Sequence, residues 1–240
     1  IIQDRKGRIW VGSFGGGLIM IQNDHGAQKI LTLDNSFKNY PAGNFKRIRH
    51  LAEGPKGNIW IGTTDGLVVF NPDSASPEQY RFKVYKKQPG MINSLGGNDV
   101  EFIFKDHRNK MWVLTSSGGL NLAEGANPLD TLTFRNFSTR DGLPSDYLLS
   151  CAEDNHHNLW ISTQNGLSIF SLKTSSVQNF DYYDGLNEND SFSEGSCTRM
   201  SNGRLVFGNT SGCLSFDPSK IKPKKIWADV VFTNIQVNGK

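Results

Sequence analysis

Glu53 and Glu153 are the residues whose type and placement could do chemistry, because each stands seven residues before a tryptophan, Trp60 and Trp160. Glycoside hydrolysis needs two carboxyl groups facing one sugar, one as acid and one as base or nucleophile. The same register holds Gln3, Lys105 and Arg199 elsewhere in the chain. A position with such mixed chemistry reads as solvated surface. The histidines offer less. His107, His156 and His157 fall in turns between expected strands, and no spacing sets three ligands together, so no metal is expected. The 3 cysteines do not make a disulfide framework. Cys151 and Cys197 each stand nine residues before an anchor, where other units carry Ile1, Leu51 and Ile103. They read as small core hydrophobes, and Cys213 is uninformative. Phosphate-cradling glycine loops and the histidine context of phosphoryl transfer are both missing. The expectation is a segment without catalytic residues and without a cofactor.

The elements that carry these side chains repeat. RIWVGSFGGGL begins at Arg8, NIWIGTTDGL at Asn58, KMWVLTSSGGL at Lys110 and NLWISTQNGL at Asn158, with a tryptophan-less copy, RLVFGNTSGCL, at Arg204. With Trp10, Trp60, Trp112, Trp160 and Val206 aligned, the steps are 50, 52, 48 and 46 residues. That is the period of a supersecondary unit. Trp227 lies outside the register.

Each unit reads as four short strands, because short apolar runs alternate with turn signals and no stretch keeps a helical period. In the third unit the strands are expected at 100–105, 110–114, 119–122 and 132–137. Gly7, Gly57, Asn109, His157 and Gly203 recur three residues before the anchor, and these types best tolerate a left-handed backbone. Asp65-Gly66, Asn165-Gly166 and Ser211-Gly212 mark tight hairpins with positive φ.

Four-stranded units at this period predict an all-β fold, a β-propeller fragment of about five four-stranded blades. The blades fall at approximately 1–37, 38–87, 88–138, 139–184 and 185–222, the first truncated and the last either completed by residues near Val230–Val237 or left short. Unbroken apolar tetrads such as Ile9-Trp10-Val11-Gly12 fit middle strands buried on both faces, and the four tryptophans are expected in the inter-blade core. A chain of about 240 residues buries roughly 70% of its unfolded surface. It opens without Met inside a strand, Ile1-Ile2-Gln3, and supplies about four and a half units where closed propellers have about 4–8. Further blades are therefore expected before Ile1, with either self-association, as a dimer, across an open arc or a tightened five-blade ring.

A net charge of +3 is small, and Lys222-Pro223-Lys224-Lys225 lacks the interleaved aromatics of a nucleic-acid groove. Nucleic acid is set aside as a partner. No stretch reaches the roughly 18 apolar residues of a membrane span, and no signal peptide is seen.

The motif asp-x-x-gly-x-x-trp, followed by Gly or Ser, Thr and a Gly-Leu strand, resembles the two-component regulator propeller repeats in periplasmic sensor regions of Bacteroidetes-type hybrid histidine kinases. It is carried by Asp4, Gly7, Trp10 and Gly12; by Gly57, Trp60, Gly62, Thr63, Gly66 and Leu67; by Asp106, Trp112, Thr115, Gly119 and Leu120; and by Asp154, Trp160, Thr163, Gly166 and Leu167. Asn93-Ser94-Leu95, Asp141-Gly142-Leu143 and Asp184-Gly185-Leu186 resemble the family's connections into the next inner strand. Two units depart from the pattern. The second has Gly54-Pro55 in place of an acidic residue, and the last replaces Trp by Val206. Phe207-Gly208 and Phe216-Asp217-Pro218 resemble the family's final blade. Residues 223–240 then resemble a linker and the first strand of the β-sandwich domain that follows.

The resemblance implies the extracytoplasmic, periplasmic part of an inner-membrane sensor. It would recognise a ligand, in many relatives a glycan fragment, and relay the signal to a kinase domain outside this segment. Membrane attachment would come only through other parts of the parent chain. Two alternatives stay open, a propeller enzyme acting on glycans and a protein-interaction propeller. The turn Asp4-Arg5-Lys6-Gly7 resembles a sialidase Asp-box with one extra residue, and an Asp-box is a folding turn.

In a propeller, the connections between blades and the turns between second and third strands share a face. That face carries the longest irregular segments, 86–99, 138–146 and 181–195. Asn98, Asp99, Arg140, Tyr182 and Tyr183 lie there, planar hydrogen-bonding groups and aromatics suited to an oligosaccharide or a partner protein. They are the candidate ligand-binding residues.

Overall fold

The computed structural model describes residues 1–24, 26–187 and 191–221. Those residues form 19 strands and short 3-10 turns. The first sheet is β1 (Ile2–Gln3), β2 (Ile9–Ser13), β3 (Gly17–Asp24) and β4 (Ala27–Leu31), and the second is β5 (Ile48–Glu53), β6 (Ile59–Thr63), β7 (Gly66–Phe70) and β8 (Lys83–Tyr85). The third is β9 (Val100–Lys105), β10 (Met111–Thr115), β11 (Leu120–Glu124) and β12 (Thr133–Phe137). The fourth is β13 (Leu148–Glu153), β14 (Asn158–Thr163), β15 (Gly166–Ser171) and β16 (Val177–Phe180). In each sheet the strands pair antiparallel in chain order. The fifth sheet has three described strands, β17 (Phe192–Arg199), β18 (Leu205–Asn209) and β19 (Gly212–Phe216), one fewer than expected. The completing strand anticipated near Val230, Trp227 and the sandwich strand all lie outside the described residues.

The turn chemistry explains the first hairpin of every sheet. Gly7, Gly57, Asn109, His157 and Gly203 all take positive φ, between 60° and 84°. In the second hairpin only the glycines do so, with Gly66, Gly166 and Gly212 at 135°, 114° and 140°; Asp65 and Asn165 stay at negative φ.

Side-chain alternation then builds the core between sheets. Trp10, Trp60, Trp112 and Trp160 are at most 2% exposed, and each belongs to a separate apolar cluster shared with the next sheet. The residue preceding each anchor points the opposite way, toward the sheet before it. Thus Ile59, Met111, Leu159 and Leu205 pack in the clusters of Trp10, Trp60, Trp112 and Trp160. Phe70, Phe170 and Phe216 stack edge-on or tilted against Trp10, Trp112 and Trp160 at 4.6–5.6 Å between ring centroids. Ile9 of the first sheet has no such neighbour among the described residues and is 37% exposed. The first strands of successive sheets pack on one another, β5 on β9, β9 on β13 and β13 on β17, and define the axis. No apolar cluster among the described residues joins the fifth sheet to the first, so the blades form an arc; the alternative expectation of a tightened five-blade ring is not met.

Candidate functional site

The loop face collects the site. Where β5 and β9 begin, Arg49 and Asp99 form a two-pronged ion pair, with Nε 2.6 Å from Oδ1 and Nη2 2.9 Å from Oδ2. Arg49 Nη1 reaches Glu194 Oε2 on β17 at 2.8 Å, which ties the second sheet to the fifth across the axis. The same nitrogen lies 3.2 Å from Glu101 Oε2, and the Tyr147 hydroxyl donates to Glu194 Oε1 at 3.0 Å. Three carboxylates thus surround one guanidinium. The Glu101 side chain is fully buried, and burial pushes its pKa up to about 7 against the pull of Arg49, with Glu194 and Asp99 adding to the rise. Burial likewise raises Tyr147 to about 12. Phe14, exposed on the first sheet's hairpin, lies 5.8 Å from the Arg49 guanidinium, within cation–π range.

The five expected ligand residues lie on this face but do not converge. Asp99 is taken up by Arg49. The Asn98 side chain accepts the Lys87 backbone N–H at 2.7 Å and so shapes its own loop. Arg140 sits in the 3-10 turn Thr139–Asp141, held by a Ser138–Asp141 capping box, and lines a cleft of about 410 Å³ with Met91, Ser117 and Asp146. Tyr182 lines a second cleft of about 340 Å³ with Asn165, Asn187 and Phe192. The Tyr182 and Tyr183 rings lie 3.7 Å apart, and Tyr183 is 79% exposed. Both clefts join a hairpin between second and third strands to an inter-blade connection, which places the two kinds of segment on one face as expected.

Sequence reasoning missed Arg49, Glu101, Tyr147 and Glu194. A signal was available: Arg49 and Glu101 share a position eleven residues before their anchors and carry opposite charge there.

On the other face a repeated clamp joins neighbouring turns. Glu53 Oε2 accepts the Arg5 backbone N–H at 3.1 Å, with the guanidinium 3.6 Å from Oε1. Glu153 Oε2 does the same for His107, at 2.9 Å. Arg199, at the same register, bonds Asn155 and the Glu153 carbonyl. The two glutamates therefore serve different junctions and do not face a common space. The cysteines match the sequence reading: Cys151 is buried, and burial raises its thiol and that of Cys197, the latter to about 11. The histidines do not. The expectation that no three metal-type ligands meet is corrected by the packing, which brings His107, Glu153 and His157 together.

The fold and the loop face define a class, a β-propeller arc of about fifty-residue repeats that presents its inter-blade loops around a polar axis. Residues 43–65 match the family model described as "Two component regulator propeller", so the resemblance read from the repeats holds. The chain is 26% identical over 232 residues to histidine kinase P4 of Formosa agariphila, a match covering 96% of this chain and 16% of that protein. Its fold is similar to the extracellular domain of a putative hybrid two-component system from B. thetaiotaomicron, with a TM-score of 0.70 at 20% identity over 92% of this chain and 29% of that one. PorZ, a surface component of the type IX secretion system of Porphyromonas gingivalis, aligns with a TM-score of 0.66 at 18% identity, over 89% and 31%. The chain thus spans less than a third of each of these proteins.

Proposed function

We propose that this chain is an extracytoplasmic sensor segment of a hybrid two-component signalling protein, and that its loop face recognises an oligosaccharide. The observation that carries the reading is the loop face itself. Exposed Phe14 lies beside the polar axis, Tyr182 lines one of the two clefts and the exposed Tyr183 ring lies against Tyr182, and planar rings beside hydrogen-bonding groups suit sugars. The family match and the kinase relative supply the signalling context. Kinase chemistry belongs to another part of the parent chain, and the segment sits in the periplasm of an inner-membrane protein.

Thermal-shift measurements on the intact sensor with a panel of oligosaccharides test this, since a ligand that binds only the folded state raises the melting temperature. A double substitution, Arg140→Ala with Tyr183→Ala, should remove that rise while leaving the unliganded melting temperature in place. An unchanged ligand response in the double variant would move recognition off these loops.

A further inference from the structure

We propose that His107, Glu153 and His157 form a binding site for a divalent transition-metal ion, which staples the third sheet to the fourth on the face opposite the recognition loops. His107 comes from the turn between β9 and β10, Glu153 ends β13, and His157 closes the turn before β14. Their ligand atoms lie within 4.8 Å of one another. Both imidazoles aim Nδ1 at the same carboxylate oxygen: His107 Nδ1 is in direct contact with Glu153 Oε1, and His157 Nδ1 is 2.9 Å from it. The rings stack with centroids 3.6 Å apart. Glu153 is 8% exposed, whereas the His107 and His157 side chains are 36% and 55% exposed, so the cluster has a fixed floor and an open side.

The equivalent junction of the first two sheets shows what is particular here. There Glu53 faces the guanidinium of Arg5, a permanent cation that completes the clamp. At the junction of the third and fourth sheets, two imidazoles take the place of that cation. The second arrives from a position that is Gly7, Gly57, Asn109 or Gly203 in the other units. His157 takes φ 63° there, a left-handed conformation that His, like Asn, tolerates better than most side chains. A turn that carries Gly or Asn in the other units has here been given a ligand aimed at the carboxylate that ends its own first strand.

The donor set selects the ion. Two imidazoles and one carboxylate suit Zn²⁺, Co²⁺, Ni²⁺ or Cu²⁺ rather than the oxygen-seeking Ca²⁺ or Mg²⁺. Glu153 would bind through Oε1 alone, because its Oε2 is held by the His107 backbone N–H, the kind of outer hydrogen bond that orients a ligand. Tetrahedral ligands at about 2.0–2.2 Å from zinc stand ~3.4 Å apart, so Oε1 would withdraw by about half an ångström from His157 Nδ1 and by about twice that from His107 Nδ1. Each neutral imidazole would then carry its proton on Nε2, and water would fill the open position.

The test is titration of the chelator-stripped intact chain with Zn²⁺ and with Co²⁺ alone, followed by calorimetry, melting and the Co²⁺ visible spectrum. One ion per chain, a raised melting temperature and the intense bands of a tetrahedral Co²⁺ site are expected. His157→Asn keeps a residue that the same turn already accepts at Asn109, so it should fold and weaken binding roughly tenfold or more, about 1.4 kcal/mol. His107→Gln should act likewise, and His156→Asn should change nothing. Absence of binding at micromolar Zn²⁺, or equal affinity in His157→Asn, would overturn the proposal.

Discussion

Among the described residues the indole N–H of Trp60 has no acceptor, because Gly54 stands where the other tryptophans find an aspartate. Trp10, Trp112 and Trp160 donate to Asp4, Asp106 and Asp154 at 2.8, 3.1 and 2.9 Å. The same aspartates accept backbone N–H groups of their turns, so one carboxylate fastens both the hairpin and the core. At the second sheet that fastening is missing. The phenylalanine that elsewhere meets the tryptophan is replaced there by Ala123, opposite Met111, and a cleft of about 200 Å³ opens beside Trp60.

Gly54 therefore offers a direct test. A Cβ there would meet the Trp60 ring, with Cδ1 at 2.8 Å. Gly54→Ala should destabilise through crowding with nothing gained. Gly54→Asp suffers the same crowding but supplies the acceptor, and should be about 1–2 kcal/mol more stable than Gly54→Ala, the scale of a hydrogen bond to a charged group. Urea melts of the two variants decide it, and equal midpoints would refute the acceptor argument.

Trp60→Ala and Trp112→Ala should each cost roughly 3–5 kcal/mol through lost burial and a residual cavity. Trp112→Ala should be the worse by about 1 kcal/mol, because it also leaves the buried Asp106 carboxylate without its indole donor. Trp227→Ala should cost less than either. Equal midpoints for all three would show that the repeat register is misassigned.

Glu101 sets a pH dependence. Its folded pKa of about 7 lies above the ordinary 4.5, so the native state holds the proton more tightly than the unfolded chain. The stability this confers is complete below about pH 4.5 and is lost as pH rises through 7. Arg49, Asp99, Glu194 and Tyr147 surround the group. Between pH 5 and 7.5 the native protein should lose on the order of 1–3 kcal/mol from this site, and Glu101→Gln should flatten that slope. A variant with the same pH profile as the native protein would contradict the assignment.

The uncovered face of the first sheet predicts self-association. Ile9, Ile21 and Ile30 stand in register across β2, β3 and β4, with Ile9 37% and Ile30 54% exposed. Exposed apolar rows recruit partners, so light scattering should find dimers at moderate concentration, and Ile30→Lys should shift them toward monomer. A monodisperse monomer would contradict this.

Most of the architecture was written in the sequence because a propeller repeats its local requirements. Asn109 and His157 could be matched to glycines before any coordinates, since one left-handed turn recurs at a fixed distance from each tryptophan. The strands of the third unit fell within about two residues of β9–β12 for the same reason, apolar alternation being a local property. Contacts between blades had no such signature. His107 meets Glu153 46 residues away, and Arg49 meets Glu194 at a separation of 145. Those pairs depend on which faces of two sheets are stacked and on how far the arc turns about its axis. The same packing separated Asn98 and Asp99 from Arg140 and Tyr182, residues that shared a face but no single cleft. Period and residue type determined the blade; the rigid stacking of blade on blade decided which polar side chains became neighbours.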